Sequence, residues 1–169
     1  GIAAALTAAR SGAKTLLLEA EPRVGGNITN AFVHTICGLY QPLAESDSTL
    51  RYANEGFPRQ FAEALLAAGV ASPAERAGKV AFLPIDPLAF AEFALQLCRR
   101  TPNLDLALAS PLRRATLPTQ IGVAGTLQFG SSEIQARVAI DTSGDGVLGA
   151  LAGADLAVAD QEELQTTSY

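Results

Sequence analysis

A small-residue helix running into a short apolar strand that ends in an acid constrains this chain more than any other feature. Gly1 opens a run of alanines that reads as a helix to Ser11, and Gly12 follows where a left-handed helix cap is common. Thr15 to Leu18 is then a continuous apolar run, as expected of a strand buried on both faces of a parallel sheet, and Glu19 closes it. Glu19 stands 18 positions after Gly1, close to the roughly 20-residue separation between a glycine fingerprint and a ribose-binding carboxylate in a dinucleotide-binding βαβ unit. On that spacing Gly1 is the last glycine of G-x-G-x-x-G. It sits where a helix N-terminus offers free N–H groups to a pyrophosphate. The first strand and the other two glycines are then expected upstream of residue 1.

Composition narrows the class. A length of 169 residues fits one domain with a substantial core, and 49% apolar residues with no Trp or Met favour a layered α/β domain. A net charge of -5 without a basic run argues against a nucleic-acid partner, whose phosphates call for clustered Lys and Arg. No apolar run approaches the roughly 18 residues that span a bilayer. Thr7, Arg10 and Ser11 interrupt the apolar start, so it reads as a packed helix rather than a leader. The two cysteines, Cys37 and Cys98, lie far apart, which excludes a dithiol motif, a disulfide framework and a zinc pattern. No metal site is expected, and a reducing, cytoplasmic setting is the default.

Along the chain, Glu21 to Ser48 is a glycine- and polar-rich stretch too long for an ordinary connector. Phe57 to Ala68 is amphipathic, and Gly69 closes it. Lys79 to Leu83 reads as a short strand. Asp86 is placed to cap a helix with Pro87 at its first position, running to about Arg100. From Leu104 the period becomes strand-like: Leu104–Ala109, Leu112–Leu117, Gln120–Ala124, Thr126–Gly130 and Glu133–Ile140. The middle three suggest an antiparallel meander. The last runs through Val138-Ala139-Ile140 into Asp141-Thr-Ser-Gly-Asp-Gly146, and a small-residue helix, Val147 to Ala152, follows until Gly153.

Two further segments carry chemistry. After Glu19 comes Ala-Glu-Pro-Arg23-Val-Gly25-Gly26-Asn27, and the second is the Ser143-Gly144-Asp145-Gly146 turn. Strand, acid, then Arg-x-Gly-Gly is similar to the N-terminal region of FAD-dependent oxidoreductases of the glutathione-reductase fold. Apolar strand, Asp-x-x-Gly-Asp-Gly, then helix resembles a second motif of that group. The resemblance covers essentially the whole chain, including the meander, which that fold inserts between two parallel strands. Thr142-Ser143-Gly144 in place of the commoner Ala-Thr-Gly is a departure.

The resemblance implies an α/β, Rossmann-like FAD-binding domain with a parallel sheet and an inserted antiparallel β-meander. Residues 1–169 then form a partial FAD-binding domain without a substrate domain. It implies FAD as cofactor, with Gly1 at the pyrophosphate, Glu19 on the adenosine ribose, Arg23, Gly25 and Gly26 along the adenine side and central backbone, and Gly144 and Asp145 toward the flavin. Residues 26–40 are expected to pass beside the isoalloxazine ring, with Asn27, Thr29, Asn30, His34 and Thr35 supplying polar groups. His34, the only histidine, is the candidate catalytic base, although a single loop histidine is more often structural. Cys37, Cys98 and the Phe82, Phe90 and Phe93 set read as packing residues. The expected function is the FAD-binding portion of a flavin-dependent oxidoreductase acting on a small-molecule substrate. Two alternatives stay open. An NAD(P)-binding Rossmann domain leaves Gly25-Gly26 and Gly144-Asp145 unexplained, and the other is a non-catalytic fragment or interaction module.

Overall fold

A computed structural model describes residues 1–44, 49–118 and 123–155. Contacts divide the chain into two compact units, residues 2–109 and the residues from Ser110 onward together with Gly1.

In the first unit, helix α1 spans Ile2–Arg10 and strand β1 Thr15–Leu18. Ala5 and Ala9 are buried with Leu6, so the small-residue face predicted from the sequence is the packed one. Gly12, at φ 89, ends the helix. Its N–H donates to the Ala9 carbonyl and the Ala13 N–H to that of Ala8, which satisfies two orphan carbonyls in a Schellman arrangement. The chain continues through α2 (Asn27–Asn30), β2 (Thr35–Ile36), α3 (Phe57–Ala67), β3 (Glu75–Ala77), β4 (Val80–Pro84), α4 (Pro87–Arg100) and β5 (Leu104–Ala107). β1 and β5 pair in parallel, Thr15 opposite Leu104 and Leu18 opposite Ala107. β2, β4 and β3 form a separate antiparallel sheet. β2 and β3 went unseen in the sequence because each is two or three residues long and β3 is exposed throughout, leaving no apolar alternation to read.

One core of this unit gathers Val24, Leu65, Leu83, Ile85, Phe90 and Ala94 between α3, α4 and β4. Phe61 meets Phe90 edge-on at 6.1 Å between centroids, and Phe93 packs on the same cluster. Phe90 is therefore a core residue, as expected, while Phe93 and Phe82 are half-buried. A second cluster joins α1 to Cys98 and Leu104. Burial pushes the Cys98 thiol up from its ordinary range, which suits an inert packing residue. Leu65 and Leu83 are fully buried, and each such side chain contributes about 1.5–3 kcal/mol.

In the second unit β6 (Leu112–Thr116), β7 (Gly125–Phe129) and β8 (Ser132–Ala136) form an antiparallel meander whose third strand comes from the segment read as Glu133–Ile140 rather than from Gln120–Ala124, and α5 spans Val147–Leu151. The Gln120–Ala124 strand falls largely outside the described residues, as does the tail after residue 155. The predicted strand through Ile140 is corrected. β8 stops at Ala136, which lies opposite Gly125, the first residue of β7, and Arg137 to Ile140 pair with no strand among the described residues. Val138 and Ile140 are 78% and 62% exposed. Among the described residues the parallel sheet has only β1 and β5, and no helix is long and apolar enough to cross a membrane.

Asp86 caps α4 as its sequence context predicts, its Oδ1 accepting the N–H groups of Leu88 at 2.8 Å and Ala89 at 3.0 Å. Replacing Asp86 with Ala is expected to lower unfolding stability by about 1 kcal/mol. Urea denaturation of the two proteins checks this.

Candidate functional site

Parallel pairing of β1 with β5 brings their carboxyl ends side by side, the end of an α/β sheet where ligands bind. The ladder continues past the strands. The Glu19 N–H donates to the Ala107 carbonyl at 2.9 Å, and the Ala109 N–H to that of Glu21 at 3.0 Å. Glu19 is thereby held half-buried just beyond β1. Its Oε1 accepts the Glu21 N–H at 3.1 Å, which fixes the carboxylate within its own turn. Its Oε2 makes no hydrogen bond to the described residues, and a ribose hydroxyl is the kind of donor such an oxygen accepts.

The segment after Glu19 is built around Val24, which is 1% exposed. A pocket of about 210 Å³ lies here, floored by Val24, Leu95 and Leu108 and flanked by Arg23 and Glu92. Gly25 and Gly26 follow, at φ 119 and 53. The two glycines do different work. A Cβ on Gly25 would stand 2.4 Å from Thr29 Cγ2 and 3.0 Å from Phe90 Cε1, so Gly25 is required by packing inside the unit. A Cβ on Gly26 would meet nothing within 4 Å, so this position borders open space.

Thr29 is 2% exposed, and its hydroxyl donates to the Val24 carbonyl at 3.0 Å, with that of Gly26 at 3.3 Å. Thr29 thus closes the glycine turn from beneath. The sequence places Thr29 against the cofactor, and the structure shows its hydroxyl bonded within the turn. Asn27 and Asn30 are exposed at the two ends of α2. The His34 ring is exposed while its carbonyl accepts the Ile85 N–H at 2.8 Å, so the backbone beneath the ring is fixed. Thr35 lies in β2, and Cys37 is exposed without a partner thiol. Tyr40 packs on Tyr52 at 5.1 Å, and burial first, then Tyr52, pushes its phenol up to about 12. Tyr40 therefore stays protonated at neutral pH.

Gly144 and Asp145 belong to the second unit, in the turn before α5. The sequence reading passed over the residue that organises this turn. Asp141 Oδ1 accepts the Ser143 N–H at 2.9 Å and the Ser143 hydroxyl at 2.7 Å, and Oδ2 accepts the N–H groups of Leu148 at 2.8 Å and Gly149 at 3.2 Å. Ser143 Oγ in turn accepts the Val147 N–H at 3.0 Å. The first donors of α5 are thus satisfied internally, and none of these three is left for a phosphate. The signal was an Asp two residues before a Ser and just ahead of a helix, the pattern of an Asx turn. Asp145 is exposed and makes no hydrogen bond to the described residues. Gly1 is exposed at the start of α1. No group of His, Cys, Asp and Glu among the described residues could hold a metal ion.

Two outcomes follow from this geometry. Gly25→Ala is expected to destabilise the first unit by about 3 kcal/mol, since strain at positive φ adds to overpacking. Gly26→Ala costs about 1 to 2 kcal/mol, from the backbone alone. Paired denaturation curves separate them, and equal losses would contradict the division of roles. Hydrogen bonds from Ser143, then from Gly149 and Leu148, hold the Asp141 carboxyl below its ordinary value. A depressed carboxylate contributes stability above its unfolded pKa of about 3.9, and that contribution is lost as pH falls through the folded value. The stability gap between the native chain and Asp141→Asn is therefore largest at neutral pH and closes in acid. A gap independent of pH would show that the ionised carboxylate is not the acceptor.

The model of the FAD-dependent oxidoreductase family matches residues 1–168. No curated protein matches the chain significantly. The family brings FAD as cofactor and oxidoreductase chemistry, and a glutamate beyond a parallel strand with a glycine turn beside it is a site such a dinucleotide fits. The chain belongs to the FAD-dependent oxidoreductase family, of which it supplies an FAD-binding portion.

Proposed function

We propose that the first unit holds the adenosine half of FAD in a Rossmann-like manner, as in oxidoreductases of the glutathione-reductase type. One observation carries this reading: the half-buried Glu19 carboxylate stands beyond a parallel strand, with one oxygen spent on its own turn and the other open. Glu19 binds the ribose hydroxyls and disfavours a 2′-phosphate by charge. Arg23, on the wall of the 210 Å³ pocket, covers the adenine side. Gly26 gives the pyrophosphate room to approach the backbone, and Gly1 meets it at the start of α1. Gly25 and Thr29 shape this turn without touching the cofactor, whereas Asn27 is exposed beside it.

Bound FAD supplies the electron-transfer chemistry, and the protein binds and orients it. In the second unit Gly144 keeps the backbone open, and Asp145 offers a carboxylate to a hydroxyl on the flavin side. His34, exposed on a fixed backbone, is the candidate for exchanging a proton with a small-molecule substrate.

The test is a titration of the full-length protein with FAD, and separately with NAD, for the native sequence and Glu19→Ala. Loss of the charge-assisted hydrogen bonds weakens FAD by about 1 to 3 kcal/mol. Unchanged FAD affinity would remove Glu19 from the site. Binding of NAD in place of FAD would move the reading to a nicotinamide domain.

A further inference from the structure

The pocket beyond β1 joins an apolar interior to two opposite charges that the fold leaves apart. Val24, Leu95 and Leu108 floor its volume of about 210 Å³, and the charged residues lining it are Arg23 and Glu92. Arg23 makes no hydrogen bond or ion pair with the described residues, although a carboxylate lines the same cavity. Glu92 Oε1 accepts the Gln96 side-chain amide at 2.8 Å, one turn further along α4, which pins the carboxylate to the helix surface. Its Oε2 makes no hydrogen bond to the described residues. The parallel ladder joins this cavity to the Glu19 turn. Leu108, on the floor, lies between Ala107, whose carbonyl accepts the Glu19 N–H at 2.9 Å, and Ala109, whose N–H donates to the Glu21 carbonyl at 3.0 Å. One set of backbone bonds therefore holds both the cavity floor and the Glu19 carboxylate, as a purine and the ribose bonded to it require of their binding groups.

A volume of about 210 Å³ is below the roughly 300 Å³ at which pockets for drug-sized ligands begin, so this cavity takes one ring system rather than a dinucleotide. Its apolar floor suits the face of a planar ring, and a guanidinium stacks on such a face. A carboxylate only accepts, so the ring edge turned toward Glu92 has to carry a donor. The adenine of FAD has one in its exocyclic amine. We infer that Glu92 is a specificity-determining residue: its open oxygen accepts the 6-amino group of an adenine seated on the apolar floor beside Arg23. The inference rests on the adenosine reading above and adds the residue that recognises the base. Glu92 stands on α4, far along the chain from Gly1, Glu19 and the glycine turn, and none of those motifs specifies it.

The test is a binding cycle read by calorimetry on the full-length protein freed of flavin. The two probes are ADP and the 5′-diphosphate of purine riboside, which lacks the 6-amino group and is otherwise the same molecule. The proteins are the native sequence, Glu92→Ala and Glu92→Gln, and circular dichroism under assay conditions reports folding. The native protein should prefer ADP by about fivefold, a modest factor because Glu92 is exposed and water competes for its oxygens. Alanine should abolish the preference by weakening ADP alone, and should weaken FAD by the same factor. Glutamine keeps an acceptor oxygen and should retain most of the preference. A native protein without the preference, or an alanine variant that weakens both nucleotides equally, would overturn the inference while leaving the FAD reading intact. A native protein that binds no FAD would overturn both.

Discussion

The site depends first on the parallel pairing of β1 with β5. Four residues from each strand set the register, and two main-chain bonds beyond it, Glu19 to Ala107 and Ala109 to Glu21, carry the pairing into the following turns. Without that extension Glu19 would be an ordinary exposed acid after a strand. With it, the carboxylate is fixed relative to the backbone that continues through Arg23 to Gly26. α1 supports the pair from its alanine face, and α4 brings Phe90 beneath the glycine turn and Leu95 to the floor of the pocket. Packing, register and ligand geometry are therefore one arrangement.

Each of the two loops proposed to meet the cofactor is held by a small polar side chain turned inward. In the first, Thr29 donates to the carbonyl groups of Val24 and Gly26, and Gly25 is small enough to lie against it. In the second, Ser143 is clamped by Asp141 and clamps Val147 in turn. Both devices leave an outward position open, the side-chain face of Gly26 and the carboxylate of Asp145. Rigid support behind an exposed binding group is what keeps the ordering cost of ligand capture low.

Much of this was legible in the residues. The alanine stripe of α1, the apolar β1 ending in Glu19, the Asp86 cap and the strands β6 and β7 all follow local patterns that the structure repeats. What escaped depends on partners distant in the chain or on geometry rather than residue type. β2 and β3 exist because β4 pairs with them, and their own sequences hold too few residues to show a period. Val138 and Ile140 look like a buried strand, yet their ladder ends where β7 begins. Gly25 and Gly26 are identical in sequence, and only the positions of Thr29 and Phe90 reveal that one is required by packing while the other borders open space and is favoured by its backbone conformation. Asp141 carries no comparable mark in the sequence, because its role depends on backbone N–H groups seven and eight positions away.

The central claim is that this chain supplies the FAD-binding portion of a flavin-dependent oxidoreductase. The most direct measurement is the visible absorption spectrum of the protein purified from its complete reading frame, repeated on supernatant and pellet after acid precipitation. The account predicts a flavin spectrum, with FAD identified in the acid supernatant by chromatography. A folded protein that is colourless and stays colourless after incubation with FAD would contradict it.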